Sequence, residues 1–254
     1  NGQDYTDFVD IKADEFYQMI KENPSFHPTT AQTPTGVIVE TYEKLKEDGY
    51  DEASVITISS QLSGTYEGAL MAANMVEDFK VTVFDSKSVA YNEAVMALEA
   101  AKMAKAGKNT TDIIDRLSYL RENQGLLVSV DTLKYLVKNG RLSGAQGFLG
   151  SMLKIKPLLH IDQAGSVVNI EKIRTFKKAL NRVIEKFLEE TNDQEGVVPF
   201  ICHAHNEEAK DYVKSELKRH NPAFKNIFDM PLTSAVGAHA GPGAIGLGYY
   251  IKSL

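Results

Sequence analysis

Apolar residues alternate through Val55-Ile56-Thr57-Ile58, which predicts a strand over 54–58, and beyond it the period changes. Ala69, Leu70, Ala73, Met75 and Val76 fall on one helical stripe, so 64–79 reads as a helix. The same reasoning predicts a helix over 36–48 closed by Gly49, a strand over 81–84, and consecutive helices over 88–105 and 111–123. Asp112 and Asp115 place negative charge in the opening turn of the last of these, where the helix dipole favours it. Helices alternating with short apolar strands predict an α/β layer with parallel strands.

Gln124-Gly125 breaks that rhythm. Beyond it the pattern predicts a strand over 126–130, helices over 132–139 and 145–153, and a hairpin joining 158–161 to 167–173 across a turn rich in Asp, Gln, Ala and Gly. A helix over 175–190, a strand over 197–202, a helix over 207–219 and strands near 227–230 and 236–239 complete the chain. A hairpin among helices implies a mixed sheet. The expectation is an α/β protein of two domains, a parallel-sheet domain over 1–124 and a mixed-sheet domain over 125–254.

Composition narrows the chemistry. The 254 residues, 43% hydrophobic, suffice for a substantial core, and a formal charge of −6 argues against a nucleic-acid surface. The single cysteine, Cys202, excludes an intrachain disulfide and fits a reducing cytoplasm. The most apolar stretch, 142–159, is interrupted by Gln146, Lys154 and Lys156, so no membrane span is expected, and no signal peptide is visible. The chain opens Asn1-Gly2 without methionine, which places the expected natural start upstream.

Two distant segments concentrate polar donors beside glycines: SSQLSGTY, from Ser59 to Tyr66, and HAGPG, from His239 to Gly243. The first lies between a strand and a helix, where free backbone N–H groups and hydroxyls suit an anion, although serine capping of the helix serves equally. GPGAIG satisfies the letters of a dinucleotide fingerprint. It has no following helix and no acidic residue about 20 positions on, so the match is accidental. No P-loop motif is present. Ser63 and His239 could be a nucleophile and base, but no third carboxylate is evident to orient the histidine. His203 and His205 alternate as strand residues do and lack a third ligand, so a metal site is not expected. Arg141 occupies a turn between helices, and Arg174 opens a helix, where a cation is mildly unfavourable unless an anion accompanies it.

The segments TTAQTPTG, ISSQLSGTYEGA, VTVFDSKSV, DTLKYLVKNGRLSGA, KIKPLL, RTFKKA, CHAHNEEA and GAHAGPGAIGLGYY resemble, in order, the motifs of the DegV family of bacterial fatty-acid-binding proteins. The resemblance spans nearly the whole chain. It implies a two-domain α/β protein that holds one long-chain fatty acid, its tail sunk in the C-terminal domain and its carboxylate near an interdomain cleft. It further implies a non-catalytic carrier that presents the carboxylate to a separate fatty-acid kinase for acyl-phosphate formation and phospholipid synthesis, with no cofactor and at most peripheral membrane contact.

Carried over by motif, the carboxylate contacts fall on Thr30, Ser63, Gly64 and His239, while Arg141 and Arg174 match arginines that steady the head group or meet the kinase. Phe148, Leu149, Met152 and Leu153 are candidates to line the tail pocket. Two departures stand out: Ala31 lacks the hydroxyl usual in the first turn, and a first strand ending in Asp-Ser is not seen ahead of Asn1. The ligand's physics is consistent with this reading, since about fifteen methylenes at roughly 0.8 kcal/mol each give a gross gain on the order of 12 kcal/mol. A carboxylate cannot follow them into an apolar interior unpaired, so it must stop at hydroxyls, N–H groups or a cationic histidine. A serine hydrolase or acyltransferase using Ser63 and His239, and a silent interaction domain, are the alternatives.

Overall fold

A computed structural model describes residues 2–148 and 155–252. In chain order its elements are α1 (Ala13–Glu22), α2 (Thr35–Glu47), β1 (Glu52–Thr57), α3 (Thr65–Ala73), β2 (Lys80–Asp85), α4 (Tyr91–Lys105), α5 (Thr110–Glu122), β3 (Gln124–Ser129) and α6 (Lys134–Lys138). A 3-10 turn, Ala145–Phe148, precedes β4 (Lys156–Ile161), β5 (Val167–Ile173), α7 (Phe176–Thr191), β6 (Val197–His203), α8 (Glu207–His220), β7 (Phe228–Pro231), α9 (Ser234–Ala240) and β8 (Ile245–Ile251).

The chain divides into two compact units. The larger holds Asn1–Thr30, Gly125–Asp162 and Val167–Leu254, and the smaller holds Ala31–Gln124 with Gln163–Ser166. The break at Gln124-Gly125 therefore falls where a unit begins. The first thirty residues, however, belong with the C-terminal part and not with 31–124. The reason is packing: α1 turns Phe16, Tyr17 and Ile20 inward, and the Tyr17 hydroxyl donates to the Leu232 carbonyl at 3.1 Å.

In the smaller unit β1 and β2 pair in parallel, from Glu52 opposite Lys80 to Thr57 opposite Asp85. Tyr42, Ala72, Val76 and Phe79 form its core with Ile38, Val55 and Val81 packed against them. A groove of about 750 Å³ is lined by every residue of β1 and by residues of α2, α3, α4 and α5, but by none of β2, so it follows the edge of β1 that β2 leaves open.

In the larger unit the described strands form a mixed sheet in the order β5-β4-β3-β8-β6-β7. β4 and β5 are the expected hairpin, antiparallel from Lys156 opposite Ile173 to Ile161 opposite Val167, with an irregularity at Leu158/Leu159. β6 runs antiparallel to β8 and parallel to β7. Leu127, Leu158, Ile201 and Leu247 from the sheet meet Val183 and Phe187 of α7 and Val213 and Leu217 of α8 in one core.

Three expectations need correction. Residues 236–239 are helical, within α9, and not a strand. Thr233 caps that helix by accepting from the Val236 N–H, and its small residues, including Gly237 and Ala238, pack closely where a strand would need branched ones. The helix expected over 64–79 stops at Ala73, and 145–153 begins as a 3-10 turn. Residues 149–154 lie outside the described residues, and with them Leu149, Met152 and Leu153; of Phe148 only the backbone is described.

Phe187 is fully buried and meets Phe224 and Tyr249 edge-on, with ring centroids 5.9 and 5.7 Å away. Phe187→Ala is expected to destabilise the protein by about 3–5 kcal/mol, read as a fall in the urea midpoint at unchanged slope.

Candidate functional site

The larger unit assembles a polar site from three segments that are remote in sequence. The first is the strap 23–30 after α1, the second is α6 with the KNGR turn, and the third is the C-terminal end of α9. α1 sits on α9 at Gly237, where a Cβ would lie 2.4 Å from the Tyr17 hydroxyl and 3.0 Å from the Phe16 ring. At Gly241 φ is 77°, in the left-handed region, and a Cβ there would come within 2.4 Å of the Tyr135 ring. Glycine at 241 thus both ends the helix and admits an aromatic ring.

His239 lies in the last turn of α9, with its Nε2 2.7 Å from the hydroxyl of Thr30, 209 positions earlier in the chain. Its Nδ1 is buried and has no hydrogen-bond partner among the described residues. Burial, followed by the charges of Arg141 and His27, lowers its pKa from 6.5 to about 4, so the ring is neutral at pH 7. Asn139 ties the three segments together. Its side-chain amide donates to the Pro28 carbonyl at 3.3 Å and to the Ala238 carbonyl at 2.9 Å. Arg141 donates to the Asn139 carbonyl at 2.6 Å, which anchors the guanidinium at this corner.

Thr30, His239 and Arg141 are therefore brought together, as their motifs suggest. His27 is a member that sequence reasoning missed. Its ring stacks on Tyr135 with centroids 6.0 Å apart, and its Nδ1 is also buried without a hydrogen-bond partner among the described residues. The signal available was position alone, since HPTT places His27 three residues before Thr30. Arg174 is exposed between β5 and α7.

Ser63 and Gly64 belong to the smaller unit. The Ser63 hydroxyl pairs with that of Thr65 at 2.8 Å and accepts from the Thr65 N–H at 3.3 Å, opening α3 with hydroxyls as expected. Gln32 covers this turn so closely that a Cβ at Gly64 would lie 2.0 Å from its Oε1. Ser60 donates its hydroxyl at 2.6 Å and its N–H at 3.2 Å to Asp85, so that carboxylate orders the loop. His203 and His205 diverge: Nδ1 of His203 is 3.5 Å from Glu207, while His205 takes φ 52°, lies 3.6 Å from Asp14 and stacks on Tyr17.

Comparison with known proteins places this geometry. The model of the family described as "Uncharacterised protein, DegV family" matches residues 1–252. The chain belongs to the DegV family. A DegV domain-containing protein of Halalkalibacterium halodurans is 37% identical over 251 residues, covering 98% of this chain and 87% of the relative. Among solved structures, DegV of Bacillus subtilis, a fatty acid binding protein, is 34% identical with a TM-score of 0.86, covering 98% of this chain and 87% of that one. A DegV family protein of Thermus thermophilus, described for its fatty acid binding, is 27% identical with a TM-score of 0.88, covering 99% and 89%. The smaller parallel sheet and the larger mixed sheet are thus the DegV architecture. No helix among the described residues is long and apolar enough to cross a membrane.

Because folding holds His239 neutral, its contribution to stability is complete above its ordinary 6.5 and is lost as pH falls through about 4. His239→Gln is expected to flatten the acid limb of the stability profile between pH 6.5 and 4, measured by urea unfolding at each pH. Asn139→Ala leaves the Pro28 and Ala238 carbonyls without this donor, with an expected cost of about 1–3 kcal/mol in the same assay.

Proposed function

We propose that this chain is a fatty-acid carrier: it holds one long-chain fatty acid and presents the carboxylate to a separate fatty-acid kinase, without itself catalysing a reaction. The observation that carries the reading is the Thr30–His239 pair, a hydroxyl and a neutral imidazole at 2.7 Å beside an anchored arginine. These are head-group contacts without a nucleophile's machinery. A Ser-His-Asp arrangement needs a carboxylate on the histidine Nδ1, and that atom has no hydrogen-bond partner among the described residues. The fatty-acid binding of the Bacillus subtilis and Thermus thermophilus relatives supports the ligand class.

Thr30 and His239 take the carboxylate, and Arg141 supplies a nearby positive charge. Ser63 and Gly64 keep a proposed role toward the same group by their match to the family motif, as Arg174 does toward head group or kinase and Phe148, Leu149, Met152 and Leu153 toward the tail. Work in the cytoplasm, with no cofactor and at most peripheral membrane contact, fits this role.

Denaturing the purified protein and analysing the organic extract by mass spectrometry should give about one fatty acid per chain, as tight apolar retention requires. Ser63→Ala and His239→Gln should each retain less lipid or yield less acyl-phosphate with the kinase, while circular dichroism stays unchanged. An empty extract, together with ester hydrolysis abolished by Ser63→Ala, would sink the carrier in favour of the hydrolase.

A further inference from the structure

Two buried imidazole nitrogens in one corner, the Nδ1 atoms of His27 and His239, have no hydrogen-bond partner among the described residues. Buried polar atoms are ordinarily satisfied, and a pair of exceptions at one place points to a missing partner. The surrounding groups indicate its sign. His27 is acted on by the charges of Lys138 and Lys134 of α6, and Tyr135 stacks on its ring. His239, on α9, is acted on by Arg141 and by His27, and Thr30 of the strap takes its Nε2. Among the described residues, the charges that act on the two rings are those of Lys134, Lys138, Arg141 and His27, each cationic when ionised. A site with that field and two unfilled nitrogens is built for an anion.

A neutral imidazole has one N–H, and an imidazolium has two. Thr30 pairs with Nε2 of His239 and can donate or accept there, so an anion can be met from Nδ1 by the neutral Nδ1–H tautomer or by the cation, whose charge-assisted hydrogen bond is the stronger. We propose that His27 is a further head-group residue, forming with His239 a two-imidazole seat that takes an anionic head group together with a proton from solvent. The balance is simple: free protein, one carboxylate and one proton give a complex holding one imidazolium and one carboxylate, with no bond to carbon changed. Asn139 is the positioning residue, because its amide fixes the strap that carries His27 to the helix that carries His239. This rests on the carrier reading and adds to it a residue and a pH dependence.

The test uses delipidated full chain and decanoate, whose short tail keeps it monomeric in solution. Calorimetric titrations at pH 7 in two buffers of different ionisation enthalpy should show uptake of about one proton per decanoate bound. Affinity should then fall about tenfold per pH unit between pH 6 and 8, which is the linkage for one proton. His27→Gln should bind more weakly and lose at least about half of the uptake. In the wild type, ¹⁵N-histidine spectra should show the imidazolium pattern on His27 or His239 when decanoate is present and the neutral pattern when it is absent, a readout that does not depend on the variant folding. Decanoate binding with no proton uptake, or uptake and affinity unchanged in a folded His27→Gln, overturns the two-imidazole seat alone. No decanoate binding by the wild type overturns the carrier reading and the seat with it.

Discussion

Packing of α1 against α9 is the interaction on which the rest of the site depends. It joins a segment near the start of the chain to one near its end, and it works because Gly237 leaves room for the Tyr17 hydroxyl and the Phe16 ring. The Tyr17 hydroxyl donates to the Leu232 carbonyl, and Asp7 accepts from the Ser234 hydroxyl. With those contacts made, the strap after α1 has little freedom left, and its residues 27–30 fall beside the last turn of α9. Loop closure over some two hundred residues costs only a few kcal/mol more than a short one, because the cost grows with the logarithm of length. A modest apolar contact is therefore enough to hold a long-range site.

Once the strap is placed, the electrostatics follow from what is absent as much as from what is present. Burial disfavours the charged form of a histidine, and a neighbouring carboxylate would oppose that. Here burial, an arginine and a second histidine act in the same direction, and His239 is driven neutral. Such a ring with a hydroxyl on one nitrogen is a poor general base for serine, because no carboxylate among the described residues bonds its Nδ1 to stabilise the cation that would form. An arriving anion supplies that stabilisation itself. On the carrier reading proposed above, the geometry that leaves the ring a weak base also leaves it open to a charged head group.

Much of the architecture was legible locally. The strand through Val55 and Ile56 and the start of the helix after it follow from the apolar pattern, and the β4–β5 hairpin follows from its turn residues. Three features were not. α1 is not among the predicted elements: its buried face is Phe16, Tyr17 and Ile20 alone, three apolar residues among polar ones. α9 reads as a strand from sequence because its seven residues, most of them small, carry almost no periodic signal, and their preference is set by what packs on them. β8 is not among the elements the apolar pattern predicts; in the sheet its Gly246 and Gly248 make room for Leu126 and Phe200.

The site itself was legible only by residue and not by partnership. Thr30, Ser63, His239 and Arg141 could be singled out from motifs, but no local pattern says that Thr30 bonds His239, since contact across 209 positions is a property of topology. His27 shows the limit most clearly. Its sequence neighbours, Phe26 and Pro28, suggest nothing beyond an extended strap. Its role emerges only when Asn139 is seen bonding both Pro28 and Ala238, for that one amide converts two unrelated histidines into neighbours. A residue whose chemistry depends on a long-range clip carries no mark of it in its own stretch of chain, so such residues are found by asking which buried polar atoms lack partners and what ligand would supply them.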